Sequence, residues 1–311
     1  MNKIAFIFPG QGAQYVGMAK EFYEAYSVVR DTFQEASQIL GFDFTRLILE
    51  GPEEELIQTK NSQPAIFVAS VAILRAVQEK YPSLQPAVCA GLSLGEYTAL
   101  YASGRLSFAE CLKIVAARGK FMQEACSEQS GTMRVVLGME PSAVQSHLPE
   151  GVWIANLNCP GQVVIAGKTS EMPKAEEALK AAGAKRVLPL DVSGAFHTPL
   201  MNSAQEKLKS YLLSAALQPS SIQFVMNVPG TFVSDLDEIR THLIAQVASP
   251  TYWEKGIRLL DQEGVELYIE MGPGKTLTGM NKKIGVKGQS WNIEKLADLQ
   301  QLEGLYATAS K

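Results

Sequence analysis

Ile4-Ala5-Phe6-Ile7-Phe8 is apolar at every position and is cut off by Pro9-Gly10-Gln11-Gly12. A strand with one wet face alternates apolar and polar residues, so an unbroken run suits a strand buried on both faces of a parallel sheet. Parallel strands need crossover connections, and the chain supplies them. After Ser62, with Pro64 in the first turn, Ile66, Val68, Ala69, Ile73, Leu74 and Val77 recur at helical spacing until Tyr81-Pro82 stops the helix. A short apolar strand from Ala87 to Ala90 follows, then a turn at Gly91 to Gly95, a helix from Glu96 to Ala102 and a longer helix from Phe108 to Glu124. The alternation predicts an α/β fold with a parallel-sheet body.

From Gly131 the rhythm changes. Strand-like Met133 to Gly138, a short helix Pro141 to Leu148, strands Val152 to Asn158 and Gln162 to Ala166, a helix Glu171 to Ala182 and a strand Arg186 to Val192 follow one another. That order, β-α-β-β-α-β, is the ferredoxin-like split βαβ unit. The prediction is therefore an inserted ferredoxin-like α+β subdomain, residues 129–195, within a discontinuous body of residues 1–128 and 196–311. Helices near 200–216, 236–247 and 252–262, with strands near 222–227 and 265–271, resume the first rhythm. The polar, mixed tail beyond Val286 reads as loosely attached.

Charge narrows the partners. Lys plus Arg is 28 against 32 Asp plus Glu, and a net charge of −4 gives no whole-chain reason to expect nucleic acid or an anionic membrane. No apolar run approaches the roughly 20 residues of a membrane span, and the run after Met1-Asn2-Lys3 is too short for a signal-peptide core. A cytoplasmic location is the expectation. Cys89, Cys111, Cys126 and Cys159 form no CxxC pair and read as small hydrophobes, so no metal site is expected.

Gly91-Leu92-Ser93-Leu94-Gly95 fits G-x-S-x-G, the strained turn from strand to helix that lifts a serine hydroxyl clear of the sheet. A serine hydroxyl is a poor nucleophile at neutral pH and needs a base, most often histidine. Of three histidines, His147 and His242 lie in polar helical surroundings. His197 follows a strand's C-terminal end, where α/β folds place their chemistry. The chain order Ser93, Asp191, His197 formally matches a hydrolase triad, although Asp191 is only six residues from His197.

Two glycine-rich strings invite a nucleotide reading and fail it. Gly272-Pro273-Gly274-Lys275-Thr276 ends like a phosphate-binding loop but has Ile269 where the first glycine belongs, and Gly10-Gln11-Gly12-Ala13-Gln14-Tyr15 has Tyr15 where glycine or alanine is needed. A Gly-Gln-Gly loop at a strand end can instead offer main-chain N–H groups to an oxyanion. Arg118, among Ile114, Val115, Ala116, Ala117 and Phe121, must snorkel outward, join a salt bridge or find an anion.

Taken in order, Phe8-Pro9-Gly10-Gln11-Gly12-Ala13-Gln14, Gln63-Pro64-Ala65, Gly91 to Tyr97, Arg118 to Met122, Asn158 to Val164, Val192 to Met201 and Gly272 to Lys275 resemble the malonyl-CoA:acyl carrier protein transacylases of fatty acid synthesis. The resemblance implies a hydrolase-like α/β body carrying a ferredoxin-like insert. It also implies transfer of a malonyl group from malonyl-CoA to the pantetheine thiol of acyl carrier protein, with no bound cofactor and the phosphopantetheine carried by the partner.

Residue by residue, it implies Ser93 as the acylated nucleophile, His197 as its base, and main-chain N–H groups of Gln11 and Leu94 as the oxyanion hole. It implies Arg118 as the clamp on the malonyl carboxylate and the main-chain carbonyl of Gln246 as the group orienting His197, which demotes Asp191. Asn156 and Asn158 match asparagines near the family's site. Leu92, where the family commonly has histidine, and Arg134, where a small residue is usual, depart from the pattern. A serine esterase or thioesterase using the same Ser-His dyad is the alternative.

Overall fold

The structure, a computed structural model, describes residues 3–307. Among them, ten strands form two sheets: β1 (Ile4–Phe8), β2 (Val88–Gly91), β3 (Gly131–Leu137), β4 (Val152–Cys159), β5 (Gln162–Lys168), β6 (Arg186–Pro189), β7 (Gln223–Met226), β8 (Thr231–Phe232), β9 (Leu267–Met271) and β10 (Gln289–Ile293). The larger sheet has the order β10-β9-β1-β2-β7-β8 and is parallel except for β8, which returns antiparallel on β7. β1 is central, with Phe6 opposite Cys89 on one side and Ile269 on the other. Ala5 to Phe8 are buried, which is what an unbroken apolar run requires.

The helix Thr59–Lys80 runs beneath this sheet and packs on the helix Phe108–Glu128, with Phe67 and Phe108 stacked at 5.5 Å. It starts earlier than Pro64 suggests, because the N–H of Ser62 already bonds to the carbonyl of Gln58 at 2.8 Å. Pro64 therefore lies inside the helix rather than in its first turn. Four helices, Lys20–Ala25, Ser27–Leu40, Phe44–Glu50 and Glu53–Leu56, occupy a stretch for which the sequence reading predicts no element. No helix among the described residues is long and apolar enough to cross a membrane.

The smaller sheet is antiparallel with the order β4-β5-β3-β6, the ferredoxin-like arrangement. Val136, Ile165, Val144 and Leu179 close its own core beneath the helices Pro141–Ser146 and Met172–Ala181. Arg134 faces that side, donating from Nε to Glu176 at 2.6 Å and from Nη1 to Thr132 Oγ1 at 2.7 Å. It is a structural ion-pair residue, which accounts for its place in a strand. β6 stops at Pro189, short of the expected Val192, because a tight turn from Val192 N–H to the Leu190 carbonyl takes over. The sheet is stitched to the body at Thr251, whose N–H donates to Ala155 O and whose carbonyl accepts from Leu157 N–H, each at 2.9 Å.

As far as residue 307 the tail is not loose; residues 308–311 lie outside the described residues. β10 pairs in parallel with β9 along its whole length, and Leu299 and Leu302 behind it are buried. An edge strand is wet on one side, so it needs no continuous apolar run to announce it.

Candidate active site

β2 ends in the turn that carries Ser93. A Cβ at Gly91 would lie 2.0 Å from the carbonyl of Gly95, and one at Gly95 would lie 2.1 Å from the carbonyl of Phe8, so both flanking positions must be glycine. Ser93 itself sits at φ 53°, in the left-handed region that side chains rarely adopt. Asn227, just past β7, holds it there. Its Oδ1 accepts from Ser93 N–H at 2.7 Å and its Nδ2 donates to Gly91 O at 2.7 Å.

His197 lies 2.9 Å from Ser93 Oγ through Nε2 and 2.8 Å from the main-chain carbonyl of Gln246 through Nδ1. A carbonyl only accepts, so Nδ1 carries the proton and Nε2 is the acceptor for the serine hydroxyl. Burial, then the nearby Arg118 charge, pushes the imidazole down to about 4. It is therefore neutral at pH 7 and ready to take a proton. Asp191 is exposed in the loop after β6 and takes no part in this arrangement, and His147 is exposed and bonded to Ala143 O.

Arg118 is 1% exposed. Its guanidinium donates to Gln63 Oε1 at 2.6 Å, Gln246 Oε1 at 2.9 Å and Ser93 Oγ at 3.0 Å, all uncharged acceptors, and its Nε has no partner among the described residues. Arginine stays protonated in proteins, so this is a buried cation beside the Ser93 hydroxyl with hydrogen-bonding capacity left over. A cation so placed can receive an anion.

Ser93 and His197 face a cavity of about 250 Å³ between the carboxyl ends of β1 and β2 and the smaller sheet. The main-chain N–H groups of Gln11 and Leu94 donate to no protein group among the described residues. Leu92 lines the cavity as an apolar wall, as do Met133 and Val135 of β3, which alternate with outward-facing Arg134. Asn156 and Asn158 line it from β4. Asn156 Nδ2 donates to Thr251 Oγ1 at 2.6 Å, whereas Asn158 Oδ1 is buried without a partner among the described residues. A larger cavity, about 480 Å³, opens behind the β4–β5 turn and touches neither Ser93 nor His197. Ser93, His197 and Gln11 line only the smaller one, with Arg118 behind Ser93 Oγ at 3.0 Å.

Three residues of the network are absent from the sequence reading as site residues. Gln63 bridges Arg118 to Gln11 Oε1, which accepts from its Nε2 at 3.2 Å. Asn227 and Glu96 brace the serine turn from behind. A carboxylate inside the otherwise apolar helix Gly95–Ala102 was the available signal for Glu96. The loop Gly272 to Thr276 also explains itself. The carboxylate of Glu270 accepts from Leu277 N–H at 3.0 Å and Thr278 N–H at 2.7 Å, so an acidic side chain already occupies the helix N-terminus that a phosphate would need.

Comparison with known proteins agrees with this geometry. Residues 5–265 match the acyl transferase domain family. The malonyl CoA-acyl carrier protein transacylase of Bacillus subtilis is 43% identical over 290 residues, 91% of this chain and 91% of that protein. Its counterpart in Haemophilus influenzae is 41% identical over 97% of this chain and 99% of that one. A solved malonyl-transacylase in complex with a type II PKS acyl-carrier protein superposes with a TM-score of 0.93 at 40% identity, covering 97% of this chain and 99% of that chain. With the family match spanning most of the chain and these relatives covered over more than nine-tenths of their length, the chain belongs to the acyl transferase domain family and, within it, to the malonyl CoA-acyl carrier protein transacylases.

Proposed function

We propose that this chain transfers a malonyl group from malonyl-CoA to the pantetheine thiol of acyl carrier protein, in fatty acid biosynthesis, through a malonyl ester on Ser93. The observation that carries the reading is Arg118, a buried cation with neutral partners 3.0 Å from Ser93 Oγ. Few acyl groups need a cation beside the reacting carbonyl, and a malonyl group, which ends in a carboxylate, does.

His197 Nε2 takes the Ser93 proton as Oγ attacks the thioester carbon. The oxyanion that forms is held by the Gln11 and Leu94 N–H groups, each worth about 3 kcal/mol of barrier. The C–S bond then breaks, and the CoA thiolate leaves with the proton from His197. The carrier's thiol reverses the sequence: it gives its proton to His197, attacks the ester carbon and releases Ser93 Oγ, which recovers that proton. The main-chain carbonyl of Gln246 keeps His197 in the required tautomer throughout.

Arg118 selects the acyl group. A bidentate pair with the malonyl carboxylate is strong and directional, whereas an acetyl group leaves the cation unpaired. Asn156 and Asn158 form the wall along which the pantetheine arm enters, with Asn158 Oδ1 available to an amide N–H of that arm. The body comprises residues 1–128 and 196–311, and residues 129–195 form the subdomain that roofs the cavity. The transfer calls on no cofactor of its own, since the thiols arrive with CoA and the carrier. The four unpaired cysteines fit a reducing compartment, and we place the reaction in the cytoplasm.

The test is intact-mass measurement after mixing with malonyl-CoA. A malonyl adduct is expected on the wild type and not on Ser93→Ala, and the adduct should pass to added carrier protein. An adduct of undiminished yield on Ser93→Ala removes Ser93 from the reaction.

A further inference from the structure

Among the described residues Arg118 forms no ion pair; each of its acceptors is an amide or a hydroxyl. The carboxylate nearest along its hydrogen bonds is Glu96, fully buried, one amide away. The side chain of Gln246 fills the space between the two. Its Oε1 accepts from Arg118 Nη2 at 2.9 Å, and its Nε2 donates to Glu96 Oε2 and to the main-chain carbonyl of Ser93. Reversing the amide would set N–H against a guanidinium and a carbonyl against a carboxylate, so the two charges fix it in one orientation.

Among the described residues Glu96 in turn accepts only from N–H groups: the main chain and Nδ2 of Asn227, and Nε2 of Gln246. None of these partners can accept a proton from a carboxylic acid, so the arrangement is built for the charged form. Burial pushes the group up to about 7, while the N–H donors and Arg118 oppose that shift.

We propose that Glu96 is a positioning residue which, through the side-chain amide of Gln246, serves as the remote counter-charge of Arg118 and aims its guanidinium at the carboxylate of the incoming acyl group. A direct carboxylate partner would neutralise Arg118 and occupy the face that malonate needs. An amide between the charges holds the guanidinium in place and leaves it unneutralised. Replacing Glu96 with the isosteric glutamine places an NH2 group among donors. One neighbouring amide must then turn, and if Gln246 turns, it presents N–H to Arg118.

The inference rests on Arg118 as the malonyl clamp, and the experiment separates the two. The kcat and KM of malonyl and acetyl transfer from their CoA thioesters are measured for wild type, Glu96→Gln, Glu96→Asp and Arg118→Ala, with melting curves as the check on folding. For Glu96→Gln the ratio of malonyl to acetyl kcat/KM is expected to fall about tenfold or more, chiefly through the malonyl KM. Glu96→Asp, which keeps the charge, should recover part of it. A merely structural Glu96 would depress both acyl groups together. Equal losses in Glu96→Gln, with the ratio abolished by Arg118→Ala, overturn the role of Glu96 and leave the clamp standing. An unchanged ratio in Arg118→Ala overturns the clamp and the inference with it. If Glu96→Gln does not fold, Glu96→Asp carries the comparison: its shorter reach should lower the malonyl-to-acetyl ratio part of the way, and equal losses for both acyl groups overturn the role of Glu96.

Discussion

Gln246 meets His197 with its main chain and not with its side chain: the carbonyl oxygen lies 2.8 Å from Nδ1 while the amide turns away toward Arg118 and Glu96. A main-chain acceptor carries no full charge. It fixes the tautomer of the imidazole without raising its proton affinity as a carboxylate would. Burial and the Arg118 cation are then unopposed by any anion in the dyad, and His197 is pushed down to about 4.

The acidic limb of acetyl transfer should reflect this. Because the folded-state value is depressed, the neutral base is present above about 4 and is lost as the pH falls through that value, well below the ordinary histidine range. Arg118→Ala removes the second cause of the depression, so the limb should move to higher pH. Glu96, raised to about 7, titrates nearby, and the shift between wild type and variant therefore carries the test rather than the absolute midpoint. Single-turnover acetylation of Ser93 across pH 3 to 8 provides the measurement. A limb that stays put, or moves to lower pH, in the variant contradicts the electrostatic account.

Arg118 owes its position to its neighbour. An added Cβ at Gly119 would lie 2.7 Å from the carbonyl oxygen of Thr59 and 3.1 Å from the Cα of Lys60. Both contacts are main chain, so neither can swing aside. Gly119→Ala should force the helices Phe108–Glu128 and Thr59–Lys80 apart, at a cost of about 1–3 kcal/mol. Arg118 and Gln63 sit on those two helices, so the malonyl KM should rise more than the acetyl KM. Thermal melting and the two KM values measure this, and a variant with wild-type stability would show that the crossing has slack.

Arg134 stands one residue from Met133 and Val135, which line the cavity, yet the strand's alternation turns it to the opposite face and onto Glu176. Arg134→Ala should leave malonyl and acetyl kinetics unchanged while lowering stability by about 1 kcal/mol, since the pair is partly solvated. Steady-state kinetics and a denaturant titration decide it. A kinetic defect without a stability change would mean that the residue acts on the site after all.

The elements nearest the chemistry were the most legible in the sequence, for a physical reason. β1, β2 and the serine turn are buried on both faces or packed main chain against main chain, so composition at Ile4–Phe8 and Gly91–Gly95 leaves little choice. An edge strand such as Gln289–Ile293 can be polar, so its composition does not announce it, and nothing local marks where the β6 ladder ends, two residues before Asp191. Ser93, His197 and Arg118 each break a pattern: a serine between glycines, a histidine after a strand, a cation among apolar residues. Gln63, Gln246 and Asn227 are amides whose importance comes from what they bridge, at separations of 55, 128 and 134 residues. No window of sequence contains both ends of such a bridge.

Asn227 gives the sharpest ordering of variants, because it uses acceptor and donor at once. Its Oδ1 takes the Ser93 N–H, and its Nδ2 gives to Gly91 O and to Glu96. Asn227→Ala should leave these buried groups short of partners, costing about 1–3 kcal/mol and slowing acylation as the Ser93 turn loosens. Asn227→Asp keeps the shape and the acceptor but loses both side-chain donors and sets a second carboxylate against Glu96, so it should be the worse of the two. Size alone predicts the reverse order. Melting temperatures of the two variants, read beside the rate of malonyl-Ser93 formation by mass, settle which applies. An aspartate variant as stable as the wild type would mean that Glu96 is protonated in the folded protein.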